Sequence, residues 1–495
     1  MTERHFDILI IGAGLAGIGT AARIASECPG WNMALLERRE ALGGTWDLFR
    51  YPGIRSDTDM YSYGYTLRPW HSPTMLGDGA TIREYIADTA REFHVDDKIH
   101  YGLKIIRADW SGADQRWNLE VVHTASGERQ HYSCRFLVAC TGYYDQDAGF
   151  LPDFPGQEHF KGRIIHPQQW PDDLEYAGKR VVVIGSGATA ITLVPAMAEK
   201  TAHITMLQRS PTYVVSLPGR DALSAVLSKI LPAAMVYRFA RRRYIWLQRG
   251  FYLACRRWPE KLRKIVLAQV RKQVGEKIDM KHFTPSYMPW DQRVCVVPDA
   301  DLFEQIKAGN ATVVTDQIEA FNETGIRLQS GQQLDADIII AATGLNLQML
   351  GGIQLSVDDV PKELNQLMTY KSTLLQDVPN FAWVFGGGNS PWTLRVELVA
   401  QYICRLLRHM DASNSTVVVA HDDEQCQTGI SILGELQSGY VQRGNALLPR
   451  QGSKYPWQLA HHLGKDTKML LKHPIEDRWL KFSGPQVTEV EHVRA

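Results

Sequence analysis

Phe6-Asp-Ile-Leu-Ile-Ile11-Gly12-Ala-Gly14-Leu-Ala-Gly17 reads as a short apolar strand running straight into a G-x-G-x-x-G turn, and an alanine-rich helical stretch follows to about Cys28. The order of strand, glycines and helix gives the glycines their meaning. Gly12 allows a tight turn, Gly14 lets backbone approach a pyrophosphate, and Gly17 lets the helix pack close to the strand. Free N–H groups at the helix start, around Ala16, and the helix dipole favour an anion there. The next apolar run, 31–36, ends in Glu37. A carboxylate in that register accepts hydrogen bonds from ribose hydroxyls and repels a 2′-phosphate. The site is therefore expected to take FAD or NAD rather than NADP. Its N-terminal position and the Gly43-Gly44-Thr45-Trp46 that follows favour FAD.

The pattern recurs. Lys179-Arg-Val-Val-Val-Ile184 leads into Gly185-Ser186-Gly187-Ala188-Thr189-Ala190, a G-x-G-x-x-A turn, and 191–200 continues as a helix. The next strand, 203–207, is followed by Gln208-Arg209-Ser210. Where the first site has an acid, this one has a guanidinium, which can hold a 2′-phosphate bidentately. NADPH is the expected occupant. The plain alternatives are a solvated surface carboxylate for Glu37 and an ordinary exposed arginine for Arg209. Two nucleotide sites in one chain imply hydride transfer from NADPH to a flavin.

At 495 residues the chain is long enough for two or three domains. Lys+Arg and Asp+Glu both number 54, so no global field draws the protein to nucleic acid. Seven scattered cysteines form no C-x-x-C, which points away from disulfides and zinc and toward a reducing cytoplasm. No metal site is expected. The start of the chain does not read as a signal peptide. The uncharged run 181–198 has the length of a membrane span, but Gly185, Ser186 and Gly187 make it a strand, a loop and a helix.

Phe160-Lys-Gly162-Arg-Ile-Ile-His166-Pro-Gln-Gln-Trp170-Pro171 lies between the two glycine turns, and Gly43-Gly44-Thr45-Trp46-Asp47-Leu48-Phe-Arg-Tyr51-Pro52-Gly53-Ile-Arg55-Ser56-Asp57 follows the first. They read F-x-G-x-x-x-H-x-x-x-W-P and G-G-x-W-x4-[FY]-P-G-x3-D. Together they resemble the motifs of Baeyer–Villiger monooxygenases, class B flavoprotein monooxygenases. Arg50–Asp57, Gln208–Tyr213, Pro289-Trp-Asp-Gln-Arg293 and Ala342–Gln348 bring the chain closest to the ethionamide-activating branch.

The resemblance implies an α/β fold of two Rossmann-like domains, the second inserted in the first, with a helical insertion. It divides the chain into an FAD domain at 1–147 and 345–495, an NADP domain at 148–212 and 291–344, and a helical segment at 213–290. The turns Cys140-Thr141-Gly142-Tyr143 and Ala342-Thr343-Gly344-Leu345 resemble the crossings between such domains. The implied reaction uses NADPH, FAD and O2, through a C4a-peroxyflavin, to turn ketones into esters or lactones, with sulfides or thioamides as further substrates. Arg293 matches the family's active-site arginine. Asp57 would pair with it, although Ser56-Asp57-Thr58-Asp59 also reads as a helix cap. Thr45, Trp46, Asp47, Leu48, Arg55, Ser56 and Ile105 join the cofactor set. His166 is implied to couple the domains rather than transfer protons, and Trp170 to pack between them.

Gln292 departs from the lysine that many family members carry before the arginine, which leaves NADPH preference to Arg209 and Ser210. Trp457, in a Gly452–Trp457 segment like the family's mobile loop, reads equally as a pocket cap or a surface aromatic. Asn389-Ser-Pro-Trp392-Thr-Leu394 is a candidate pocket wall. From Lys229 to Lys272 thirteen cationic residues face one acid, Glu260, with aromatics between them. This stretch is read as a surface for anionic lipid, a solvated helical face or a partner surface. The competing activities are a nitrogen- or sulfur-oxygenating flavin monooxygenase without ketone activity, a disulfide reductase, for which no C-x-x-C or C-x4-C pair exists, and a nucleotide-binding sensor.

Overall fold

The computed structural model describes residues 4–292, 294–386, 391–434, 439–459 and 462–485. A larger mixed β-sheet and a smaller parallel one organise the chain. In the larger, Arg4–Ile11 lies between Met33–Leu36 and Arg129–Ala139, parallel to both. Its last four residues are buried on both faces. Ile8 and Ile10 pack on one side with Ile18, Ala21 and Ile24 of the Leu15–Glu27 helix, while Leu9 and Ile11 pack on the other with Trp117 and Leu119. A strand covered on both faces needs a continuous apolar run, which is what the sequence shows. The long Arg129–Ala139 strand changes neighbours along its other edge. Its first half pairs antiparallel with Arg116–His123 and its end runs parallel to Phe381–Trp383.

The second sheet is wholly parallel, in the order Ala311–Thr315, His203–Gln208, Arg180–Ile184, Ile338–Ala341, Arg163–Ile165. It too is covered on both faces: Val181 and Val183 pack with the Ala188–Ala198 helix, Val182 and Ile184 with Phe321 and Ile326. The uncharged 181–198 run is thus a strand, a loop and a helix. Among the described residues no helix is long and apolar enough to cross a membrane. Tyr144–Gly149 and Leu345–Leu347, which leave and re-enter the first sheet's part of the chain, pair antiparallel with each other.

Between Tyr213 and Trp290 the chain starts as a strand, Val214–Leu217, paired with Cys295–Pro298. It then forms the helices Ala222–Leu227, Ala233–Arg257 and Pro259–Val274. Pro259 ends one long helix and starts the next, since proline fits the first helical position but not an interior one. All seven cysteines are free and buried.

Candidate functional site

The first glycine turn is closed by backbone. A Cβ on Gly17 would lie 1.8 Å from the Gly12 carbonyl oxygen, so the helix and the turn touch through bare backbone. A Cβ on Gly12 would lie 2.7 Å from the Cys140 carbonyl oxygen, and one on Gly14 3.3 Å from the Gly44 Cα. The Gly43-Gly44 loop thus lies directly on the turn, with Gly14 and Gly43 in a parallel bridge. Gly14 caps the helix without any side-chain acceptor, leaving its first N–H groups for an anion. Glu37 is only 3% exposed, which removes the solvated-carboxylate alternative. Its Oε2 accepts from the Ala13 N–H at 2.7 Å and its Oε1 from the Arg39 N–H at 2.9 Å. Burial raises its pKa, and those two bonds oppose the rise. Ile105 is buried beside this strand end, on Leu103–Ser111, whose first N–H donates to the Glu37 carbonyl.

The second turn is built alike but left open. A Cβ on Gly185 would lie 2.4 Å from the Ala342 carbonyl oxygen, so each sheet's first fingerprint glycine presses on the residue that opens a T-G turn. A Cβ on Gly187, by contrast, would meet nothing within 4 Å. Gly187 and Ala188 are exposed, whereas Ala190 is fully buried and packs the helix on the sheet. Ser186 Oγ bonds the Ser210 carbonyl at 3.1 Å and Thr212 Oγ1 at 2.9 Å, holding the 208–212 loop beside the turn. Arg209 and Ser210 are exposed there, and among the described residues Arg209 makes no ion pair.

One segment, 43–57, spans both turns. It starts on Gly14, and then Leu48, Phe49, Tyr51 and Ile54 enter the apolar core beneath the second sheet. Gly53, at φ 79°, needs its missing side chain: a Cβ would lie 2.3 Å from the Thr192 carbonyl oxygen in the Ala188–Ala198 helix. Arg55 pairs with Asp301 at 2.7 Å, at the start of the Asp301–Ala308 helix. It therefore ties two elements together, while its buried Nε finds no acceptor among the described residues. The Asp47 carboxylate is 2% exposed and surrounded by Arg39 at 2.7 Å, Arg83 at 3.2 Å and Arg50 at 3.5 Å. Thr45 is exposed at the start of the four-residue Thr45–Leu48 helix. The Ser56 hydroxyl is spent within its own turn, on Thr58 at 3.0 Å.

Trp46 and Trp392, both read from the sequence, gather beside this segment with Tyr63, Tyr143 and Phe385, which were not. The Trp46 indole donates to the Tyr63 hydroxyl at 2.8 Å. Tyr143 stacks on Trp392 at 4.8 Å, and Trp392 meets Phe385 edge-on at 5.1 Å. Burial raises the Tyr63 phenol well above its ordinary value, and the charge of Asp57 adds to the rise, which places Asp57 near it. Asp57 is exposed and is not the helix cap. That role belongs to Asp59, whose carboxylate accepts the Ser62 N–H at 2.8 Å. Tyr143 directly follows the Thr141-Gly142 turn at the domain crossing, and an aromatic at that position was the available signal.

Arg293, Asn389 and Ser390 lie outside the described residues, as does the tail from 486. Around Arg293, Trp290 sits at φ 72° and meets Tyr252 edge-on at 5.6 Å. Its buried Nε1–H finds no acceptor among the described residues. Asp291 accepts from the Met288 N–H at 3.1 Å and pairs with Arg256 at 3.0 Å. Gln292 is exposed.

His166 stands at the double crossing. Its Nε2 bonds the Gly344 carbonyl at 3.0 Å, and its Nδ1 accepts the Gln168 N–H at 3.2 Å. The ring fills the space over Gly149, where a Cβ would lie 2.0 Å away. Both nitrogens are thus used in the neutral form, and burial lowers the pKa. Trp170 meets Tyr176 at 6.5 Å and packs on the second core, which Leu48, Phe49, Tyr51 and Ile54 of the 43–57 segment also join. Trp457 is fully buried against Tyr370 at 5.5 Å and Trp479 at 6.1 Å, so the surface-aromatic alternative fails and the ring serves the core. Among the described residues no cluster of His, Cys, Asp or Glu could hold a metal.

Two glycine turns, one with a buried acid and one with an exposed arginine, joined by a single segment, define a two-nucleotide redox protein. The chain belongs to the flavin-binding monooxygenase-like family, whose model matches residues 6–374. It is 55% identical over 485 residues to MymA of Mycobacterium tuberculosis, named a FAD-containing monooxygenase, covering 97% of this chain and 98% of that one. It is 46% identical over 486 residues to the FAD-containing monooxygenase EthA of the same species, covering 98% of each. Its fold matches a steroid monooxygenase bound to NADP, with a TM-score of 0.77 at 20% identity over 97% of this chain and 100% of that one. It also matches a cyclohexanone monooxygenase bound to ε-caprolactone, with a TM-score of 0.75 at 18% identity and the same coverage.

Proposed function

We propose that the protein is an NADPH-dependent Baeyer–Villiger monooxygenase that holds FAD at the first turn and converts ketones to esters or lactones, with sulfides and thioamides as further substrates. The observation that carries this reading is the 43–57 segment, which lies on the first turn by Gly44 and on the second turn's helix by Gly53. A single rigid piece of chain can thereby set a flavin and a nicotinamide at a fixed separation. The family members named above as FAD-containing, and the NADP-bound structure of like fold, support the two cofactors. We divide the chain accordingly into the FAD unit 1–147 with 345–495, the NADP unit 148–212 with 291–344, and the helical insertion 213–290. With seven free, buried thiols it suits a reducing cytoplasm.

The residues at the first turn fit FAD. The uncapped helix start at Gly14 offers N–H groups to the pyrophosphate, and Glu37, already fixed by two backbone donors, keeps lone pairs for ribose hydroxyls. At the second turn Arg209 and Ser210 are free to take a 2′-phosphate. FAD bound there and reduced by NADPH would supply the activation of O2, which itself provides the inserted oxygen atom. Arg293, as a guanidinium that stays protonated, stabilises negative charge developing on the oxygen donor and on the ketone oxygen. Asp57 orients that arginine. The Trp46, Tyr63, Tyr143 and Trp392 rings exclude water from this side of the site. His166 couples the two units through its bond to Gly344.

The test is turnover of an aryl ketone and a thioether with NADPH and labelled O2, read by mass spectrometry. Ester carrying one labelled oxygen, lost in Arg293→Ala with flavin retained, is the expected result. Sulfoxide without ester would move the protein to the heteroatom-oxygenating class.

A further inference from the structure

The outward face of the Ala233–Arg257 helix is not a solvated polar face. Among the described residues seventeen large apolar side chains are exposed, and twelve of them lie between Leu217 and Ile265, so the exposure is concentrated on one region. On the helix, Met235, Phe239, Trp246 and Leu253 are 46%, 47%, 72% and 51% exposed. They alternate with exposed Arg242 and Arg249 at successive spacings of four, three, four, three and four residues, which is one stripe of a helix. The stripe runs along a helix of about 37 Å. Ile230, 74% exposed, extends it beyond the helix start.

The opposite face is tied down. Arg241 is buried, donates to the carbonyls of Tyr61 at 2.8 Å and Gly64 at 2.7 Å, and pairs with Glu397 at 2.6 Å. Tyr237 donates to the Tyr65 carbonyl at 3.1 Å, and Tyr244 stacks on Tyr61 at 5.6 Å. The helix cannot roll to hide its apolar stripe without breaking those bonds. Among the described residues Lys229, Arg238, Arg242, Lys261 and Lys264 make no ion pair with a carboxylate. Glu260 is the only acid between Lys229 and Lys272.

We propose that this face docks the protein on a membrane surface containing anionic lipid. Tryptophan and phenylalanine enter the headgroup–acyl boundary, and arginines between them reach phosphate while their stems lie along apolar surface. Charge complementarity selects this occupant over a second copy of the chain, because an isologous contact would set guanidinium against guanidinium. The same helix touches the Trp290–Gln292 loop through Tyr252 and Arg256, so docking brings that loop toward the lipid surface.

The test is sedimentation of the flavin-loaded protein with vesicles of phosphatidylcholine alone or mixed with phosphatidylglycerol. Co-sedimentation with the mixed vesicles only, released by salt, is expected. Arg238→Glu with Arg242→Glu should lower the partition coefficient by about thirtyfold or more, from the loss of two interfacial cations. Phe239→Ser with Trp246→Ser should lower it by about tenfold or more, from lost apolar burial. Each variant should keep the wild-type flavin content and Tm, so that lost binding is not lost folding. The proposal is overturned by no binding to either vesicle, by equal binding to phosphatidylcholine alone, or by serine variants that bind like wild type. It is equally overturned by a concentration-dependent dimer that the Phe239→Ser, Trp246→Ser variant abolishes.

Discussion

The two glycine turns have the same local build and opposite exposure. In the first, Gly14 is covered by Gly44 and the strand-end acid Glu37 is buried; in the second, Gly187 faces open space and Arg209 stands exposed. Backbone cover and a preset carboxylate suit a group that stays bound. An open turn with a free guanidinium suits one that exchanges. The difference comes from the 43–57 segment, which lies over one turn and only reaches the back of the other's helix.

The largest effect should come from Gly17→Ala, because its Cβ would lie 1.8 Å from a carbonyl oxygen that cannot move without opening the turn. Loss of flavin, with low soluble yield, is expected in an absorbance and expression assay. The matching change on the other side, Gly187→Ala, should leave flavin content and Tm intact. It should raise the KM for NADPH by about tenfold to a hundredfold as the methyl crowds the phosphates. Equal flavin loss in both variants would erase the distinction.

Gly53→Ala tests the joining segment. At φ 79°, against the Thr192 carbonyl, it should cost more than about 1 kcal/mol and lower Tm. It should also slow flavin reduction by NADPH with both glycine turns untouched. A variant with wild-type Tm and reduction rate would remove the segment from the account.

The smallest effect concerns His166. Its pKa is lowered in the fold by burial, so the unfolded chain takes up that proton first. The stability it supports is therefore complete above about pH 6.5 and declines as pH falls through the unfolded value toward the folded one. His166→Gln should flatten Tm against pH in that window, and an unchanged slope would assign it elsewhere.

Much of this was legible because it is local. Strand, turn and helix order around Gly12 and Gly185 depends on neighbours in sequence, and so does the split of 181–198. What was not legible depends on distant chain. Arg55 reads as a free cation until Asp301, far along the chain, is placed beside it. Asp57 and Asp59 are equal cap candidates until backbone geometry selects Asp59. Trp457 shows nothing of its burial in a segment of Gly, Ser, Lys and Pro, since Tyr370 and Trp479 supply its surroundings. Tyr63 and Tyr143 meet the site only through folding. The second core's Phe49 and Tyr51 come from a motif that follows the first glycine turn in sequence, and nothing local shows that they cross to the second sheet.

The most direct test of the two-turn account is anaerobic reduction of the purified yellow protein by NADPH and by NADH, followed at the flavin band in wild type and Arg209→Ala. The account predicts faster bleaching at limiting NADPH than NADH. In Arg209→Ala that preference should fall by about ten- to a hundredfold, the value of a charge-assisted contact, with flavin content unchanged. Equal bleaching by both coenzymes in wild type, or loss of flavin from Arg209→Ala, would contradict it.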